Sequence, residues 1–311
     1  MTWFQFLASW LLFGTFFALF SAESCAIFSN VGKTGDVEIE ITDAPADDVE
    51  RLRLAINRVE FGRDNGDEES RNTDLVIENL LDLQQGETRT LLDDELPAGS
   101  YDWLRLHLNL GDSEVEERDG GVFSLETTTV TDGEAVLRVD QSFKVEDDET
   151  KRLVLDVELR QALVVDAAGY LMRPVLRLMD RGETGSLEGT VAATLVNDDD
   201  CINDLSADEG RGLGNVLYLY EGEDRVPGDM DLDSNGIPLG ANNPLSVAPA
   251  RQEVGEDDYQ YRFGFLPEGD YTLAFTCQGM ADFPDESNDI EFSPVMNVRI
   301  DAGATTEQDL D

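Results

Sequence analysis

Apolar and polar residues alternate one by one along most of this chain, a pattern that admits strands and little else. Val37, Ile39 and Ile41 alternate with Asp36, Glu38 and Glu40. Leu153, Leu155, Val157 and Leu159 alternate with Val154, Asp156, Glu158 and Arg160. Leu104, Leu106, Leu108 and Leu110 alternate with Trp103, Arg105, His107 and Asn109. Turn dipeptides separate the runs, among them Asn65-Gly66, Asp119-Gly120, Asp132-Gly133 and Asn235-Gly236. Long helical periodicity is absent, and residues 74–83 (DLVIENLLDL) are the one stretch that reads as a short helix. The expected fold is all-β: two antiparallel β-sandwiches of immunoglobulin or transthyretin type.

A boundary between the two is expected near 180–186, where MDRGETGS combines glycines and charges after the apolar run 170–179. The domains are then about 33–180 and 186–311. Both carry one phrase, LPAGSY at 96–101 and LPEGDY at 266–271. Proline fixes φ and glycine permits positive φ, so each phrase should make a tight turn that launches a strand. The aromatic row Tyr259, Tyr261, Phe263 and Phe265 reads as core, with Tyr218 and Tyr220 on another strand of the same sandwich.

Residues 1–24 read as an export signal. An apolar run at 3–20 leads to Ala22-Glu23-Ser24, which fits signal-peptidase cleavage before Cys25. Cys25 also resembles a lipoprotein acceptor, although Glu23 departs from the small residue preferred there. A retained anchor is the remaining reading, since 18 apolar residues can just span a bilayer. All three place the rest outside the cytoplasm: in the cell envelope as a periplasmic or outer-membrane lipoprotein, or secreted. Cys201 and Cys277 are the only other cysteines, and in an exported domain they should pair.

Against 22 Lys and Arg stand 67 Asp and Glu, a formal charge of -45 carried by both halves. Nucleic acid is excluded as a partner, because phosphate recognition needs a cationic footprint. With a single histidine, His107, histidine triads and multi-histidine metal centres are excluded too.

Two stretches carry candidate chemistry. Register should put the leucines of 104–110 in the core and Tyr101, Trp103, Arg105 and His107 on the opposite face. If that face is open, an aromatic ring beside a guanidinium could receive a sugar or a protein. If it is closed by a loop or the other domain, Trp103 is a structural residue. The second stretch is DMDLDSNG at 229–236. Asp231, Asp233 and Asn235 followed by Gly236 fit the start of a calcium loop, with Asp229 as an extra carboxylate. Position twelve is Asn242 rather than a bidentate Glu, and a solvated polar loop is the other reading. Calcium is the one cofactor in view.

Residues 37–45 (VEIEITDAP), 96–105 (LPAGSYDWLR) and 169–177 (GYLMRPVLR) resemble, in order and spacing, the domain-of-unknown-function 4382 family of exported proteins. The resemblance covers about 33–180 and implies no catalytic residues. Residues 185–191 (GSLEGTV) and 265–273 (FLPEGDYTL) are similar to carboxypeptidase-regulatory-like β-sandwiches, interrupted by an insertion at about 197–255. That likeness implies an accessory or binding module with a carbohydrate-binding-like fold. The expected role is therefore a non-enzymatic envelope protein that binds or scaffolds, with a glycan or an envelope protein as partner and the membrane reached through Cys25. The alternatives are a carbohydrate-binding accessory protein and a carboxylate-based hydrolase; the latter needs carboxylates converging in a cleft.

Overall fold

The computed structural model describes residues 32–44, 49–165, 169–205, 212–252 and 257–311. The export segment and Cys25 lie outside them. Up to Asp180 the strands are β1 (Thr34–Ala44), β2 (Val49–Arg63), β3 (Glu68–Ile77), β4 (Arg89–Pro97), β5 (Gly99–Leu108), β6 (Glu114–Glu117), β7 (Val122–Thr127), β8 (Val130–Thr131), β9 (Glu134–Val139), β10 (Phe143–Val145), β11 (Thr150–Glu158), β12 (Leu163–Val165), β13 (Tyr170–Met172) and β14 (Leu176–Asp180). From Thr184 follow β15 (Thr184–Val191), β16 (Val216–Glu221), β17 (Ser246–Pro249), β18 (Arg251–Gln252), β19 (Tyr259–Pro267), β20 (Gly269–Thr276), β21 (Val295–Ile300) and β22 (Thr305–Glu307). Two single-turn helices interrupt them, α1 (Leu159–Ala162) and α2 (Ala193–Val196).

The first group makes a four-stranded sheet, β14–β11–β1–β4, and a ten-stranded one around β2 and β5. The second makes β18–β19–β15–β22 and β17–β16–β20–β21. Among the described residues no sheet takes strands from both sides of Arg181–Glu183. Most pairs are antiparallel, as the short spacing of strands and turns requires. Three are parallel, β1 with β11, β7 with β13 and β15 with β22, because in each the chain makes a long excursion before returning.

The alternating runs bury as their period demands. Val37, Ile39, Ile41, Leu153, Leu155 and Val157 face leucines 104 and 106 in one core. Tyr259, Tyr261 and Phe263 build the second. Phe265 leaves that row: its φ is +50°, and its ring turns towards the Arg181 guanidinium, 5.5 Å away. Residues 74–83 form no α-helix. Asp74–Ile77 ends β3, and Leu80–Leu83 is a 3₁₀ turn whose first donors are met by the Asn79 side chain. The repeated phrase does the same work twice. β5 and β20 start at its glycine, and the tyrosine hydroxyl donates back to the proline carbonyl, Tyr101 to Pro97 and Tyr271 to Pro267, each at 2.7 Å.

The sandwiches are joined through buried cations. Arg160 on α1 donates to the Gly279 carbonyl at 2.6 Å. Arg173, 1% exposed, donates to Asp233 O at 3.0 Å and Leu232 O at 3.3 Å in the second sandwich, and to Gln161 O at 2.5 Å in the first. Lys33–Asp311 accordingly forms a single compact unit. No helix among the described residues is long and apolar enough to cross a membrane.

Candidate functional site

The outer face of β5 holds three of the four residues expected there. Gly62 of β2 lies opposite Trp103, and the next residue, Arg63, lies opposite Tyr101. Asp102 is therefore an extra residue, a bulge, and it turns Tyr101 back to the leucine side. Tyr101 is fully buried and stacks on Phe143 with centroids 5.0 Å apart. Leu110 lies past the end of β5, at the start of a 3₁₀ turn, and still packs against the core.

Trp103 is half-buried. Its indole fills the space left by Gly62, where an added Cβ would sit 1.9 Å from Cε2. The guanidiniums of Arg105 and Arg138 each lie 4.5 Å from its ring centroid. Arg105 in turn donates to Glu60 at 2.7 Å. His107 is 4% exposed, with Nε2 3.0 Å from Glu60 Oε2 and Nδ1 2.8 Å from Glu134 Oε2. Burial alone would raise the Glu60 carboxyl, but the His107 hydrogen bond and the Arg105 charge outweigh it and hold it below its ordinary value. The face is a chain of cross-strand ion pairs, and its imidazole has carboxylate and guanidinium neighbours but no nucleophile. Trp103→Ala should cost about 2–4 kcal/mol in a urea denaturation, since it opens a void and leaves two guanidiniums without their ring.

The loop 229–236 turns at Gly236, whose φ is +77°, as its sequence requires. Met230 and Leu232 are buried and cap the outer side of β16 beside Tyr218 and Tyr220. The polar residues around them bond to backbone and side-chain groups of this loop and of neighbouring segments. Asp233 accepts from the N–H groups of Asn235 and Ile237 at 2.8 and 3.0 Å, and Asp229 accepts from Asn288 N–H. The Asp231 N–H donates to Asn243 at 2.7 Å, tying this arm to the next. Among the described residues no three His, Cys, Asp or Glu side chains come together as a metal would need. Asp229, Asp231, Asp233 and Asn235, the residues expected to hold calcium, all lie on this loop. If the loop takes calcium, millimolar calcium should raise the melting temperature and Asp231→Asn should abolish the rise; no rise in the natural chain would make the loop only a turn.

The carboxylates that do converge are elsewhere. Asp156 and Glu158 of β11 both face Arg177 of β14, whose guanidinium pairs with Asp156 and lies 2.7 Å from Glu158. Glu158 is 1% exposed, and burial pushes its carboxyl up to about 8, helped by Asp156 and opposed by Arg177. Asp43 on β1 is buried too and raised well above its ordinary value, first by burial and then by Asp156 and Glu158. The buried Gln84 side chain beside it opposes that rise. The cavity beside Asp43 and Asp156 is about 30 Å³. That is space for about one water, not for a substrate. Alternation marks Asp156 and Glu158 as one face of β11 without saying what covers it.

Glu158 gives a pH dependence of unusual sign. Its folded value lies above its ordinary 4.5, so its contribution is complete below about 4.5 and is lost as pH rises through about 8. Glu158→Gln should flatten stability between pH 5 and 8 and raise it at pH 8 by roughly 1–2 kcal/mol, read from urea curves at each pH.

Cys201 and Cys277 are bonded, with Cα atoms 5.0 Å apart, as two cysteines in an exported chain should be.

No curated protein matches the chain. Solved structures with some likeness include the Bacillus anthracis TIE protein, at 11% identity and a TM-score of 0.20, over 90% of this chain and 34% of that one. The minor pilin GBS52 of Streptococcus agalactiae is 13% identical with a TM-score of 0.20, over 88% of this chain and 94% of that one. The fimbrial anchor protein Mfa2 of Porphyromonas gingivalis is 10% identical with a TM-score of 0.20, over 79% of each. This chain spans about a third of the Bacillus anthracis structure, and scores this low carry no argument about fold or function. The first sandwich is different: residues 34–174 match the family model described as domain of unknown function (DUF4382), the family that its VEIEITDAP, LPAGSY and GYLMRPVLR phrases resemble.

Proposed function

We propose that this chain is an exported, non-enzymatic protein of the cell envelope that binds or scaffolds, held at the membrane by a lipid on Cys25. The observation that carries the reading is the joint. Arg173 and Arg160 donate across it to backbone carbonyls, so the sandwiches form one stiff body rather than two modules on a linker. The Cys201–Cys277 bond supports an oxidising compartment. The pairing of four-stranded sheets after Thr184 supports reading that half as a carboxypeptidase-regulatory-like sandwich. Against the hydrolase stands the closed joint around Glu158. Against sugar stacking on Trp103 stand the two arginines already on its ring.

The test is a screen of the full chain against immobilised glycans and envelope polymers, with product release followed in parallel. Saturable binding without turnover is expected, and turnover overturns the reading. Incorporation of a fatty-acid label that is lost in Cys25→Ala is expected for the anchor.

A further inference from the structure

We propose that the open edge of β14 accepts a cationic, extended peptide as an added strand. β14 pairs with β11 on one side only. The Glu158 N–H donates to the Val175 carbonyl at 3.1 Å, just before β14 begins. In an antiparallel ladder bonded and non-bonded pairs alternate. Arg177 and Met179 therefore bond to Asp156 and Val154 of β11, and the peptide groups of Leu176, Leu178 and Asp180 point away from it. Those outward groups have no hydrogen-bond partner among the described residues.

A bare strand edge is ordinarily blunted or covered. Here it lines a cavity of about 770 Å³, within the range of functional pockets. The opposite wall is the end of β9 and the residues just after it, from Arg138 to Gln141. The second sandwich closes the cleft with the turn at Asn235–Ile237. β14 offers five residues of edge, about 17 Å at roughly 3.4 Å per residue. The cleft has the two-sided lining that a strand's alternating side chains need. The 59%-exposed Ile237 supplies an apolar contact, and of the acids on the rim Asp140 is paired with Arg138 and Asp180 with Lys151, which leaves Glu183 as the carboxylate set to meet a cation. Added strands take affinity from backbone bonds and specificity from such alternating pockets.

Charge selects the occupant. The chain carries -45, so an anionic peptide or a second copy of the chain is repelled on approach, while a basic segment is steered in. A strand alternating Lys or Arg with Val or Ile matches Glu183 and Ile237.

The inference names a partner for the binding scaffold and rests on that reading. Its test uses a fluorescein-labelled seven-residue peptide alternating Lys and Val. Compared with it are a Glu–Val counterpart and two versions N-methylated on one or the other alternate set of residues. Anisotropy with the full chain should show saturable binding of the Lys–Val peptide that weakens with salt, and at least tenfold weaker binding of the Glu–Val peptide. One methylated version should lose at least tenfold more affinity than the other, because only one set of N–H groups faces β14. Glu183→Lys and Ile237→Glu should each weaken binding several-fold at unchanged melting temperature. Equal affinity of the parent and both methylated peptides, or no saturable binding of the parent, overturns the proposal. A peptide failure alongside saturable glycan or polymer binding removes the added strand alone. Turnover in that screen removes the scaffold reading whatever the peptide does.

Discussion

Replacing Arg173 with alanine is expected to cost roughly 3–5 kcal/mol, the range for removing one partner of a buried charged network. The guanidinium is 1% exposed, and its Nη1 and Nη2 groups donate to carbonyls of Leu232, Asp233, Gln161 and Pro284. Burial lowers its proton affinity, while the charges of Asp285 and Asp233 oppose that. Alanine would remove the donor that the Leu232 and Gln161 carbonyls share, while Asp233 and Pro284 keep the N–H groups of Gly236 and Leu232, and it would open a void of side-chain size. Arg173→Met separates the two effects, since it refills much of the void without restoring a donor. If the carbonyls dominate, methionine should recover less than half of the loss. Lysine should also fail, because one ammonium cannot span carbonyls contributed by both sandwiches. Urea unfolding followed by near-UV circular dichroism and by Trp103 fluorescence is the measurement. The natural chain should give one transition. Arg173→Ala should give two, because the sandwiches lose the contacts that make them unfold together. A single transition with less than 1 kcal/mol lost would show that the joint is held by its apolar contacts instead.

Reducing the Cys201–Cys277 bond should have a comparable effect, confined to the second sandwich. The bond closes a loop of 76 residues, which in the chain-entropy account contributes about 4 kcal/mol. It ties the segment after α2 to the end of β20, where the Ile202 N–H donates to the Cys277 carbonyl at 2.9 Å. Cys277 also packs against the second core. The Cys201→Ser/Cys277→Ser double variant should melt about 10 °C lower than the natural chain. Dithiothreitol should lower the natural chain's melting point and leave the variant's unmoved. Trp103 lies in the first sandwich, so its fluorescence should report little of the change unless the joint fails as well.

Much of the first sandwich can be read residue by residue. The faces of β1 and β11 follow from their alternation, and the turns at Pro97–Gly99 and Pro267–Gly269 follow from proline and glycine geometry. The cysteine pair follows from the small number of cysteines. The β5 row is legible except at its ends. One inserted residue, Asp102, reverses the side of Tyr101, and nothing in the local pattern marks a bulge that only the partner strand's register reveals. The acidic loop's spacing suits a cation, and only the tertiary structure shows that Met230 and Leu232, interleaved with the aspartates, also make it a cover for β16.

The strands, their apolar faces, the launching turns and the disulfide are all legible along the chain. Each is set by neighbours along the chain, or by a choice with few members. Tertiary structure alone decided what lies over the polar faces. Glu158 and Asp156 look the same in sequence as Glu60 beside Arg105 or any solvated acid, yet a second sandwich covers them and raises Glu158. Arg173 reads as one more strand arginine until the carbonyls of Leu232 and Asp233 arrive from the other sandwich. The cleft along β14 likewise exists only because that sandwich supplies its end wall. Periodicity records which side of a strand is polar. The identity of the surface that meets that side is a long-range fact, and desolvation and buried pairing, which depend on it, appear only when the sheets are in place.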